Sequence, residues 1–145
     1  MKKPLLLLLL LLGVGAGLLT TMHFLSSLPT APMPIVWEKE ACAHCHMHIG
    51  EPRFAAQLQT REGEIFNFDD PGCLLRFSAE KPRNVHAMYF HHQTEDRWLR
   101  FQETGFVSVE PTPMGYNLGA VPAGTPGALS YADAQRRVLA KGKTP

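Results

Sequence analysis

The stretch Cys42-Ala43-His44-Cys45-His46-Met47-His48 places two thiols, three imidazoles and a thioether within seven residues. Thiolate and thioether are soft donors, and soft donors select Cu(I) over hard divalent ions. On an extended backbone Cys45 and Met47 share one face, with His44, His46 and His48 on the other. Two more sulfurs lie downstream. Cys73 opens an expected helix, and Met114 sits between Pro113 and Gly115, away from any apolar run that would give a thioether a packing role.

Three chemistries compete for this stretch. The first is a Cu(I) site built from Cys42, Cys45 and Met47 with a distal Met114 or histidine. The second is haem, because Cys42 to His46 spells the Cys-x-x-Cys-His attachment motif of c-type cytochromes. A mono-haem electron-transfer protein would then use His46 as one axial ligand and a distal methionine as the other. The third is a thiol–disulfide pair, which calls for a helix starting at the first cysteine in a thioredoxin-like βαβ context. The flanks here read as strand and turn instead. Small haem c domains are mostly helical, whereas this chain is strand-rich after its motif, and that tilts the choice towards copper.

Composition narrows the field further. The 145 residues carry a net charge of +1, which gives no electrostatic case for nucleic acid. Three cysteines are too few for a disulfide framework, while seven histidines and six methionines fit metal chemistry. No nucleophile–base pair, phosphate loop or pair of acids appears, so no enzyme is expected. Lys2 and Lys3 precede an apolar run to about Leu25 that contains the unbroken leucines Leu5–Leu12. Such a start directs the rest of the chain across a membrane, to the periplasmic side in a bacterium. As a helix, Leu5 to Leu25 measures about 31 Å, close to the hydrocarbon thickness of a bilayer. Residues 1–27 are therefore read as a signal peptide or transmembrane anchor, and the proline-bearing 28–34 as a linker.

The elements that must position the motif divide the remainder into 35–82 and 83–145. Ile35-Val36-Trp37 is expected to be a short strand leading into the cysteines. Phe54–Thr60 and Glu64–Phe68 form a hairpin turning at Arg61-Glu62-Gly63. Asp69 or Asp70 caps a helix with Pro71 in its first turn and an apolar face of Leu74, Leu75 and Phe77, ending before Pro82. Strands follow at Val85–His91, Trp98–Gln102, Phe106–Glu110 and Leu118–Val121. Ser130 with Asp133 opens a closing helix that Gly142 stops. The fold class is α+β, with two small ββα-like halves after an N-terminal hydrophobic helix. Asp69-Asp70 reads as a helix cap before a metal site, and Cys73 equally as a small buried hydrophobe or a ligand. His91-His92 reads as a solvated pair, with copper transfer to a partner as the functional alternative.

Cys42-x-x-Cys45-x-Met47, Arg53-Phe54-Ala55-Ala56-Gln57, Phe68-Asp69-Asp70-x-Gly72-Cys73-Leu74, Ala87-Met88-Tyr89-Phe90-His91, Trp98-Leu99 and Pro113-Met114-Gly115 occur in this order. Together they resemble the NosL family, copper-binding accessory factors of nitrous-oxide reductase biogenesis. The resemblance implies a two-part α+β fold, a periplasmic location and one Cu(I) for delivery to a copper enzyme. It places metal binding on Cys42, Cys45, Met47 and Met114. His46 is added here as a possible ligand, with Cys73, His44 and His91 as secondary candidates. The resemblance implies an acceptor copper enzyme as partner, and the apolar N-terminal segment adds the cytoplasmic membrane. Family members usually carry glycine where this chain has His46, and many are lipoproteins where this chain has a bare apolar N-terminus.

Overall fold

The computed structural model describes residues 2–25 and 28–141, in two compact units, Met1–Thr30 and Ala31–Pro145. The first unit holds helix α1, Lys2–Leu25. Its side chains are described over 10–21, where Leu10, Leu11, Leu12, Val14, Leu18 and Leu19 are all exposed. Thr20 and Thr21 return their hydroxyls to carbonyls one turn earlier, Ala16 and Gly17, so neither leaves a donor pointing outward. Among the described residues no helix is long and apolar enough to cross a membrane. The expected signal or anchor segment lies partly outside those residues, as does the expected stop at Gly142.

The second unit is α+β. Strands β1 (Ala56–Thr60), β2 (Ile65–Phe68), β3 (Val85–His91) and β4 (Trp98–Arg100) form an antiparallel sheet in the order β2-β1-β3-β4. A two-stranded ribbon pairs β5 (Thr104–Ser108) with β6 (Leu118–Pro122). Helices α2 (Pro71–Glu80) and α3 (Tyr131–Lys141) complete the unit. The ββα unit β1-β2-α2 is present as expected. The two halves are joined by the pairing of β1 with β3 in one sheet.

Alternation along β1 explains what each face of the sheet meets. Leu58 and Ala56 enter the core with Phe68, Phe90, Leu74, Leu75 and Phe77. There Phe77 packs edge-on to Phe68 at 5.2 Å, and Phe90 meets Phe106 at 5.0 Å. The other face of this central strand carries Gln57 and Gln59, both buried. Buried amides need partners. The Gln57 side chain exchanges hydrogen bonds with the Met33 backbone in both directions, at 2.8 and 3.0 Å, and donates to Asn67 Oδ1 at 2.7 Å. Gln59 donates to the Ala31 carbonyl at 2.9 Å. Asn67 in turn donates to Glu40 Oε2 at 2.6 Å. This ladder of amides fastens segment 31–40 across the sheet.

That fastening corrects one expectation. Ile35-Val36-Trp37 is not a strand. Glu40 closes a turn there, its backbone N–H reaching the Val36 carbonyl and its carboxylate accepting the Val36 N–H. Only Ile35 is buried, while Val36 and Trp37 are exposed. Downstream, residues 101–103 form a single 3-10 turn that separates β4 from β5.

Asp70 is the N-cap of α2, with its side chain accepting from the Gly72 N–H at 2.8 Å. Its second oxygen accepts the Met114 N–H at 3.1 Å, so one carboxylate both starts the helix and ties down loop 112–116. Burial pushes the Asp70 carboxyl up from its ordinary range. Ser130 takes the cap position of α3, accepting the Asp133 N–H at 3.2 Å as the sequence led one to expect. Helix α3 is clamped to α2 by Tyr131 on Ser78 at 2.8 Å, Gln135 on the Leu75 carbonyl and Arg76 on the Val138 carbonyl.

Replacing Asp70 by Ala removes acceptors from two buried N–H groups. Stability to urea should fall by about 1–2 kcal/mol, and the isosteric Asn should lose less because it retains an acceptor. At Gly72 the constraint is space: a Cβ there would sit 2.2 Å from Tyr116 Cγ. Gly72→Ala should therefore lower the urea midpoint by the equivalent of about 1–3 kcal/mol, and restoration in the Gly72→Ala/Tyr116→Ala double variant would identify the clash as the cause.

Candidate metal centre

The loop carrying the first two cysteines is closed at its neck by a bridge between Ala41 and His48. Inside it, the Cys42 N–H donates to the Met47 carbonyl at 2.8 Å and the His46 N–H to the Cys42 carbonyl at 3.0 Å. This tight turn requires a residue in the left-handed region, and His46 occupies it with φ of 63°. The glycine usual in the NosL family would enter this conformation without strain, whereas a side chain costs about 1–2 kcal/mol. The Ala43 N–H donates to the Asn67 carbonyl at 2.9 Å, so the loop is anchored to β2. Strand β2 leads directly into Asp70 and α2, which brings Cys73 to the same place.

The outcome is a cluster of three free cysteines, Cys42, Cys45 and Cys73, whose sulfurs all lie within 4.8 Å of one another. Cys42 and Cys73 are 0% exposed, and Cys45 is half-buried at the edge. The Cys73 thiol beside it above all, and the backbone N–H groups of Cys45, Asp69 and His44, draw the Cys42 thiol below its usual range despite its burial. Cys73 is pushed up, first because its proton is committed to Cys42 and then by burial. Burial likewise raises Cys45. Asp69 supports the cluster from behind, its carboxylate accepting the Gly50 N–H at 3.0 Å.

The other expected ligands are placed as follows. His46 and Met47 project from the same loop and are exposed, Met47 at 59%. Met114, 38% exposed, is held by its backbone at the Asp70 cap, one helical turn before Cys73. His44 faces Glu80 at 3.9 Å. His91 belongs to a different corner and faces Asp96. The expectation of a solvated His91-His92 pair is corrected, since both rings are buried. Cys73 was the residue whose part was hardest to read from sequence; the available signal was its position three residues after an Asp cap, in the first helical turn. Haem attachment would need the Cys42 sulfur at the edge of a porphyrin, whereas this residue is enclosed, at 0% exposure.

The strained turn gives a direct check. His46→Gly should leave urea stability unchanged or raise it by up to about 1 kcal/mol, while His46→Val should lower it by about 1–2 kcal/mol, since a β-branched residue tolerates this φ least.

No family model matches the chain, and no curated protein matches it at a significant level. Among solved structures, its fold is similar to that of the copper chaperone NosL from Shewanella denitrificans, with a TM-score of 0.54 and 19% identity over 77% of this chain and 89% of that one. At that identity the likeness establishes a shared fold: the α+β unit built around the three thiols is one that a copper chaperone also adopts.

Proposed function

We propose that this chain is an exported copper-binding accessory protein that holds one Cu(I) as cargo and delivers it to a copper enzyme outside the cytoplasm, such as nitrous-oxide reductase. The observation that carries this reading is the gathering of the Cys42, Cys45 and Cys73 sulfurs within 4.8 Å of one another. Thiol sulfurs are soft donors that lose their protons to the metal they bind, and this softness favours Cu(I) over hard divalent ions. The fold shared with a copper chaperone supports the same reading. The basic, leucine-rich N-terminus supports export and anchoring on the periplasmic face of the inner membrane.

Cys42 and Cys73 would hold the ion from inside. Cys45, at the edge, is where a partner's ligand can enter and displace one bond at a time, and exposed Met47 and Met114 offer thioethers along that route. Ligand exchange of this kind requires neither hydrolysis nor a change of copper oxidation state.

Anaerobic titration against a colorimetric Cu(I) competitor should show one tight equivalent. Cys42→Ser and Cys73→Ser should each weaken it by about a hundredfold or more, and Cys45→Ser by about tenfold or more. Met114→Leu preserves volume and removes the sulfur. An unchanged affinity in that variant would remove Met114 from the ligand set and confine binding to the thiols. Full retention of binding by the Cys42→Ser/Cys45→Ser/Cys73→Ser chain would overturn the proposal. So would a covalent porphyrin band in protein made in a host equipped for haem attachment.

A further inference from the structure

Away from the thiols, the chain leaves β3 through His91 and His92 and loops outward to Asp96. This corner opens on a cavity of about 750 Å³ whose opposite wall is Gly50, Glu51 and Arg53. Both histidines are buried, yet their ring nitrogens are used in opposite ways. His92 Nδ1 accepts the backbone N–H groups of Thr94 at 3.2 Å and Glu95 at 3.0 Å. Its neutral ring therefore carries the proton on Nε2, which faces Glu95 Oε1 at 3.7 Å. That ring is consumed by the turn.

At His91, Nδ1 lies 3.0 Å from the His92 carbonyl oxygen, which only accepts, so Nδ1 carries a proton. Nε2 lies 3.2 Å from Asp96 Oδ1, an approach that requires a positive charge between them, either a second ring proton or a metal ion. Histidines that ligate metals characteristically donate the other ring N–H to a carbonyl or carboxylate, which fixes the tautomer and the ring plane. Here the His92 carbonyl does this, and Trp98 packs edge-on against the ring at 5.3 Å. Two donors each about 2.0–2.1 Å from one ion are separated by about 2.9–3.4 Å, a range that contains the observed gap. The remaining charges around the cavity are paired elsewhere: Glu51 with Arg53 at 3.0 Å, and Glu95 with Arg97 and His92.

We propose that His91 Nε2 and Asp96 are the protein ligands of a binding site for a borderline divalent cation, Cu(II) or Zn(II), separate from the thiol cluster. Imidazole with carboxylate suits these ions rather than Cu(I), and Cu(II) should bind more tightly than Zn(II). Asp96 is fully exposed and His91 is enclosed, so the ion enters from solvent and meets a ring already held in position. The site shares no residue with the thiols and does not depend on what they bind.

Trp98 supplies the readout, because Cu(II) bound at His91 would quench the indole in contact with it. In the full chain carrying Trp37→Phe, Trp98 is the single tryptophan. The three cysteines are changed to serine so that Cu(II) is not reduced. If that chain does not fold, the Trp37→Phe chain with its thiols first filled by redox-silent Ag(I) replaces it. Cu(II) titration should quench Trp98 saturably with one equivalent, and electron paramagnetic resonance should show coupling to a single nitrogen. His91→Gln should weaken binding by about tenfold or more and remove the nitrogen coupling, Asp96→Asn should weaken it several-fold, and Glu95→Gln should leave it unchanged. Absence of saturable quenching, or quenching that survives His91→Gln, would mean that the cation between His91 and Asp96 is only a proton and would overturn the proposal.

Discussion

A buried thiolate cannot stand alone. Taking an ionised group out of water costs several kcal/mol even after relaxation. Hydrogen bonds to a charged group contribute about 1.5–3 kcal/mol each, so several must converge to offset it. The groups that draw the Cys42 thiol down come from three separate places: the turn of its own loop through His44 and Cys45, the end of β2 through Asp69, and the first turn of α2 through Cys73. The loop, the strand end and the helix start must therefore be fixed relative to one another before the sulfur can carry a charge. Much of the surrounding architecture serves that requirement.

Three devices provide the fixing. The Asp70 carboxylate starts α2 and holds loop 112–116 by the Met114 N–H, so the direction of Cys73 and the path of the distal loop are set by one side chain. Gly72 lets the Tyr116 ring lie directly on the helix backbone beside Cys73, where any Cβ would intrude. Asn67 receives the cysteine loop on its carbonyl and spends its side chain on Glu40 and Gln57, which binds segment 31–40 to the same strand. The Phe-Asp-Asp-x-Gly-Cys stretch is thus one mechanical unit, in which cap, close approach and sulfur occupy successive positions of a single helical turn.

Much of this was legible in the sequence because its causes are local. The β1-β2 hairpin, the Asp70 cap with Pro71 behind it, the end of α2 before Pro82 and the Ser130 cap all follow from turn chemistry and periodicity within a few residues. The failures have a common origin in contacts between distant segments. Ile35-Val36-Trp37 has the residue types of a strand, yet the amides of Gln57 and Gln59 hold the adjoining backbone across the sheet face and Glu40 turns it. Two glutamines in a central strand were the visible clue, since buried amides imply a polar partner on that face. His91-His92 reads as a surface pair from its polar neighbours, and the parallel bridge from His92 to Ala120 that draws in the second ribbon has no local signature. Cys73 is a residue type equally at home in a core or at a metal. Only its distance from Cys42 separates those readings, and distance is a property of the fold.

Softness and exposure together explain why a copper carrier would keep its thiols where they are. A site enclosed on every side would have to unfold its loop to surrender an ion, whereas one built wholly at the surface would exchange with any passing thiol. Here two sulfurs are enclosed and the third lies at the edge, beside a loop whose exposed side chains are again soft or borderline donors. In the proposed copper site, an incoming ligand would replace Cys45 first and leave the inner pair as a two-coordinate site. The strain at His46 acts in the same direction. A side chain forced into the left-handed region raises the energy of the closed turn relative to an opened one, and Cys45 sits beside that strained residue. The enclosed side is held by helix α2 and the core behind it, which leaves the loop as the part of the site able to yield.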